Sequence, residues 1–140
     1  VMSKIDDAIF RFVEHELYNF ENTKRELEEL KLDIAESTAG NLAYDRYSSN
    51  PGYPGSSTES AVTNIITNKA IIRATKTIRD IERAKKKLDE EKLELFDMKY
   101  NQCKPWQQIV MKLNISERTY FRWRKEIVEL VAKEMGLIHD

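Results

Sequence analysis

Arg118, Arg122 and Lys125 are four and three residues apart in the stretch E-R-T-Y-F-R-W-R-K, so on an α-helix they share a face with Glu117 and Phe121. Cations at this spacing could bond guanine edges and phosphates if the helix lay in a DNA major groove. Phe121 on that face either packs on a thymine methyl or leans back onto the protein. Tyr120, Trp123, Ile127 and Leu130 fall on the opposite face and give the same helix a side to bury. Lys104, Gln107, Gln108, Lys112, Ser116, Thr119 and Arg124 surround the reading face as candidates for phosphate contact.

The residues just before this helix specify how it is held. Pro105 suits the first turn of a preceding helix, where a backbone N–H would be unpaired anyway. Trp106, Ile109, Val110 and Leu113 recur at helical spacing and give that helix one buried face. Asn114 stands where it must stop and is suited to the left-handed conformation of such a stop. Ile115 plugs the angle between the two helices, and Ser116 is a good N-cap for the second. Gly136 supplies the stop after about Met135. The spacing predicts two helices joined by a tight turn, a pattern shared by DNA-reading modules and by plain structural corners.

The chain has 140 residues, enough for one domain or two small ones in series. Its 34% of charged residues, with only 4 Gly and 3 Pro, favour an elongated helical protein over a β-rich one. The net charge of −1 gives no global signal for nucleic acid, but the charge is segregated. Residues 1–36 hold ten acids and five bases, whereas residues 61–87 hold eight bases and two acids. Two long helices of opposite sign favour each other as neighbours; alternatively the basic one touches DNA backbone. Ile65, Ile72, Ile78 and Ile81 argue that the basic helix packs, which prefers the first reading.

Residues 3–36 read as one long helix capped by Ser3, with Val13, Phe20, Leu27 and Ile34 repeating every seven residues. Leu17 and Leu30 fill between them, and Ile5, Ile9 and Phe12 extend the stripe. Residues 37–60 carry most of the glycines and prolines among serines and tyrosines, and read as a loop that Tyr44, Tyr47 and Tyr53 could anchor. A second long helix is expected to about Lys87, with a seam of Ile71, Ala74, Ile78, Ile81, Ala84 and Leu88 continued at its start by Val62, Ile65 and Ile66. Asp89 is a candidate cap for a third segment, where Leu93, Phe96 and Tyr100 share one face. The expected fold is all-α, with a coiled-coil-like helical hairpin over residues 1–87 and a helix–turn–helix domain over residues 88–140.

Other chemistries find little support. No Ser/His/acid set, Gly-rich phosphate cradle or pair of catalytic carboxylates occurs at useful spacing, so the chain is not expected to be an enzyme. His15 and His139 stand far apart and Cys103 is the single cysteine, so no metal or other cofactor is expected. One cysteine fits a reducing compartment. No apolar run approaches the roughly 18 residues of a bilayer span, and Asp6, Asp7 and Arg11 interrupt the first apolar positions. The expected location is a cytoplasm, with no membrane partner.

The segment Leu88–Leu130 resembles the DNA-binding region four of bacterial sigma factors. The residues that carry this are the acidic leading helix ending in L-F-D-M-K-Y, the W-Q-Q-I-V helix, the N-I-S turn and R-T-Y-F-R-W-R-K. With the long N-terminal helices included, nearly the whole chain resembles the RinA/ArpU family of phage late-transcription activators, most specifically in I-S-E-R-T-Y-F-R-W-R-K-E-I-V and F-D-M-K-Y. Asn114 departs from the Gly that many relatives carry in the turn. The resemblance implies a sequence-specific activator in a bacterial host cytoplasm. It would bind a promoter or operator site in double-stranded DNA and switch on late packaging and morphogenesis genes with host RNA polymerase. Glu117, Arg118, Phe121, Arg122 and Lys125 would read the groove, and a homo-oligomer formed through the N-terminal helices would present two such heads. Competing readings are a small-terminase-type DNA-packaging protein and a helical scaffold that never meets DNA.

Overall fold

The structure, a computed structural model, describes the backbone of residues 5–47 and 54–139 and the side chains of residues 5–36, 63 and 65–139. Among the described residues the regular elements are all helices, with no strand. In chain order the elements are α1 (Asp7–Tyr18), α2 (Phe20–Tyr47), α3 (Pro54–Lys86), α4 (Glu90–Phe96), a π-helical turn (Asp97–Asn101), α5 (Trp106–Leu113) and α6 (Glu117–Glu134). No helix among them is long and apolar enough to cross a membrane.

The expected single helix over residues 3–36 is two helices. Asp6 caps the first by accepting from the Ala8 amide, while Ser3 lies outside the described residues. The break falls at Asn19, with φ −91° and ψ 2°, where the backbone N–H turns back to the His15 carbonyl. The Asn19 amide also lies 2.9 Å from His15 Nε2. A short amide side chain competes with helix hydrogen bonding, which is why asparagine favours helix ends.

The loop expected over residues 37–60 is largely helical instead. α2 runs on to Tyr47 and α3 starts at Pro54, leaving residues 48–53 outside the described backbone. Pro54 at a first helical position needs no backbone N–H, and its fixed φ suits the helix. Ala39, Leu42 and Ala43 are good helix formers that carry α2 past Gly40. The side chains of Tyr44, Tyr47, Tyr53 and Val62 lie outside the described residues.

Contacts divide the chain into two units, residues 1–22 with 77–140, and residues 23–76. In the first, Val13, Leu17 and Phe20 meet Ile81, Ala84, Leu95, Phe96, Ile109, Ile127 and Val131 in one buried core. Phe96 stands edge-on to Phe20 and to Tyr100, with ring centroids 6.5 and 5.2 Å away. Each such side chain contributes about 1.5–3 kcal/mol by leaving water. The widened turn at Asp97–Asn101 follows directly on α4, and Met98, Lys99 and Tyr100 are all buried in it. The expected Asp89 cap is present, accepting from the Lys92 amide at 2.9 Å.

In the second unit Leu27 is buried, and Leu30, Ile34, Ile71 and Ala74 are half-buried. Ile65 and Ile72, expected to show that the basic helix packs, are 55% and 68% exposed. None of Glu28, Glu29, Asp33, Glu36, Lys69 and Arg73 forms an ion pair with another described residue.

Candidate nucleic-acid interface

The turn between α5 and α6 is built from four successive residues. Leu113 ends α5, and Asn114 takes the left-handed conformation at φ 54° and ψ 51°. Ile115 then sends its N–H back to the Val110 carbonyl at 3.2 Å and tucks its side chain against the core. Ser116 is extended and caps α6, its Oγ accepting from the Thr119 amide at 3.1 Å and donating to Thr119 Oγ1 at 2.9 Å. At the other end Gly136, at φ 76°, lets Leu137 donate to the Ala132 carbonyl and Gly136 to that of Lys133, so the last carbonyls of α6 are satisfied.

α6 buries Tyr120, Ile127, Val128, Val131 and Ala132, with Trp123 and Leu130 packed at the edge. The other side carries Glu117, Arg118, Phe121, Arg122 and Lys125, all exposed. Arg118 and Arg122 form no ion pair or hydrogen bond with another described residue. Lys125 lies a loose 3.9 Å from Glu129. Phe121 leans back while staying 40% exposed: its ring is 5.0 Å from Tyr120 and 6.0 Å from Trp106. That contact brings the start of α5 against the outward side of α6. On α5, Gln107, Gln108 and Lys112 are exposed beside Met111, and Lys104 is half-buried just ahead of it.

Arg124 is not on this surface. Expected among the phosphate contacts, it lies one turn past Tyr120 on the inner flank. There its Nε and Nη2 donate to Glu14 Oε2 and Oε1 at 3.0 and 2.6 Å, and its guanidinium stacks 4.9 Å from the Phe10 ring centre. Ser116 and Thr119 have also turned their hydroxyls toward each other as the cap of α6.

Glu14 gathers a cluster that sequence reasoning missed. Its carboxylate also accepts from the Tyr100 hydroxyl at 2.8 Å, with Lys99 Nζ 3.8 Å away, and Lys99 donates to the Tyr18 hydroxyl at 2.9 Å. Burial alone would raise the Glu14 pKa, but the hydrogen bonds from Arg124 and Tyr100 and the charges of Lys99 and Arg124 outweigh it and hold it below the ordinary value. Burial likewise opposes the charge on Lys99, yet the Tyr18 hydrogen bond and the nearby Glu14 keep its pKa raised. Tyr100 is pushed up, by burial first and the Glu14 charge second. The signal was present: Glu14 stands inside the inward stripe Phe10, Val13, Leu17, where an isolated acid needs a partner. The cluster ties α1 to the middle of α6, and Lys92 reaches Glu126 at 2.8 Å to tie α4 there too.

A family model described as protein of unknown function (DUF722) matches residues 18–133. The chain belongs to that family. The matched stretch runs from the last residue of α1 to near the end of α6, so it includes the whole turn and its exposed cations, while Phe10 and Glu14 precede it. No curated protein and no solved structure matches the chain.

Proposed function

We propose that the chain is a sequence-specific DNA-binding protein in which α5 and α6 form a helix–turn–helix and α6 enters the major groove. The observation that carries this reading is the pair Arg118 and Arg122, exposed and, among the described residues, without an ionic partner, on a helix whose start, middle and end are each held. A cation that is unpaired and held on a rigid element gives up little conformational freedom when it meets a base edge or phosphate. Glu117, Phe121 and Lys125 complete the reading surface. Lys104, Gln107, Gln108 and Lys112 would meet the backbone, helped by the Trp106 and Gln107 amides that open α5. The regulatory part of the reading, activation of phage late genes with host RNA polymerase, is supported by the resemblance of nearly the whole chain to the RinA/ArpU family of phage late-transcription activators.

The test begins by selecting a cognate duplex from random sequence with the full chain. Arg122→Ala should then weaken binding to it by about tenfold or more and relax one base position, with helicity unchanged. Lys112→Ala should weaken binding to all sequences and reduce the slope of log affinity against log salt by about one. Unchanged cognate affinity in Arg122→Ala would sink α6 as the reader. Footprinting with and without host polymerase separates activation from binding alone.

A further inference from the structure

The exposed cations of α6 do not all point the same way. At about 3.6 residues per turn, nine residues make about two and a half turns, so side chains nine apart leave the helix in opposite directions. Arg118 is nine residues before Ile127, and Arg122 is nine before Val131; both apolar side chains are buried. The two arginines therefore point straight away from the core, about 6 Å apart along the helix. Lys125 stands differently. It is seven residues, about two turns, before the buried Ala132, which puts it on the flank of the outward face, and its ammonium is 3.9 Å from Glu129. Phe121, seven residues before the buried Val128, shares that flank and leans on Tyr120 and Trp106. Glu129 follows Arg122 by seven residues and continues the outward line with an acid.

We infer a division of labour on this surface: Arg118 and Arg122 each read a guanine, the two guanines lying about two base-pair steps apart, while Lys125 and Phe121 rest against the groove wall. The inference deepens the DNA reading above and rests on it. A side chain pointing straight out of a helix laid in the major groove reaches the base edges on the floor, whereas one on the flank reaches backbone. A guanidinium is a donor-only fork, and guanine is the base whose major-groove edge offers two acceptors side by side, O6 and N7. Adenine sets an N6 donor beside its N7, thymine offers the single O4, and cytosine presents a donor. Neither Arg118 nor Arg122 has an ionic or hydrogen-bond partner among the described residues, so neither gives up a protein contact on meeting a base. Their separation of about 6 Å, against a rise of about 3.4 Å per base pair, sets the spacing of the guanines. Lys125 carries a compact point charge, which suits a phosphate. Glu129 ends the row, because a carboxylate is disfavoured between two lines of phosphates, and base contact is confined to the first turns of α6.

The full chain and the duplex it selects from random sequence provide the test, with far-UV circular dichroism to verify that each variant keeps its helix content. Replacing either guanine by 7-deazaguanine, which still pairs but lacks the N7 acceptor, should weaken wild-type binding about threefold or more. Inosine at the same positions keeps the major-groove edge and loses only the minor-groove amino group, so affinity should stay within about twofold. The variants then assign residue to base. Arg118→Ala should lose its response to 7-deazaguanine at one of the two positions, and Arg122→Ala at the other. Lys125→Ala should weaken binding to all sequences alike and keep both base preferences. Four outcomes would overturn the inference while leaving sequence-specific DNA binding in place: a selected site without two such guanines, inosine as damaging as 7-deazaguanine, arginine variants that respond at both positions, or altered base preference in Lys125→Ala. A chain that selects no duplex overturns the DNA reading and this inference together.

Discussion

Ile72 and Ile81 lie on one helix and belong to similar apolar repeats, yet Ile81 is fully buried and Ile72 is 68% exposed. Around Ile81, short helices arrive from distant parts of the sequence, and Phe20, Leu95, Phe96 and Val131 share its core. In the 23–76 unit the same kind of stripe leaves Ile65, Ile66 and Ile72 open to water. The difference teaches that a hydrophobic period marks a surface that wants covering, while the covering itself depends on what the rest of the fold brings to it.

The largest expected effect contrasts the two regions directly. Phe96→Ala removes a ring at the centre of the first unit and should cost about 3–5 kcal/mol in urea unfolding. Ile72→Ala, measured at concentrations where the chain is a monomer, should stay within about 0.5 kcal/mol of wild type. Comparable losses at the two positions would break the contrast.

Glu14→Gln comes next, at about 2 kcal/mol near neutral pH, because Arg124 and Lys99 lose the charge they face in a partly buried site. Its pH dependence follows from the lowered pKa of Glu14. A carboxyl depressed in the folded state contributes fully above its ordinary value of 4.5, and that contribution disappears as pH falls through the lower folded value. Melting temperatures of wild type and variant should therefore converge on acidification below pH 4.5. Curves that stay parallel there would assign the loss to packing instead.

The smallest effect concerns the turn between α5 and α6. Asn114→Ala should cost about 1 kcal/mol, since alanine resists the left-handed conformation that Asn114 adopts, and Asn114→Gly should be near neutral. A chemical denaturation series over the three chains checks the order.

Much of the α5–turn–α6 region was legible because local chemistry dictates it. An asparagine tolerates the left-handed stop, a serine caps, and a glycine ends the last helix, each acting within about four residues. Cys103, in the same left-handed region at φ 52°, gave no such signal, because its side chain has no preference for it. The break at Asn19 was missed because the heptad Val13, Phe20, Leu27 continues through it. The helical ends of α2 and α3 were missed because Ser, Gly and Pro residues were weighed as breakers although Pro54 serves as a helix start. Arg124 was misplaced for another reason: α6 periodicity sets it near the boundary of the two faces, and only the arrival of Glu14 and Phe10 draws it inward.

The sequence alone determined the helical class, the capped turn at Asn114–Ser116 and the outward row of Arg118, Arg122 and Lys125, because each follows from backbone preferences and a period of 3.6 residues. Tertiary structure decided which cations stay available and which apolar stripes are covered. Those outcomes depend on partners more than a hundred residues away, as Glu14 is from Arg124, and pairing at that range is set by packing rather than by neighbours in the chain.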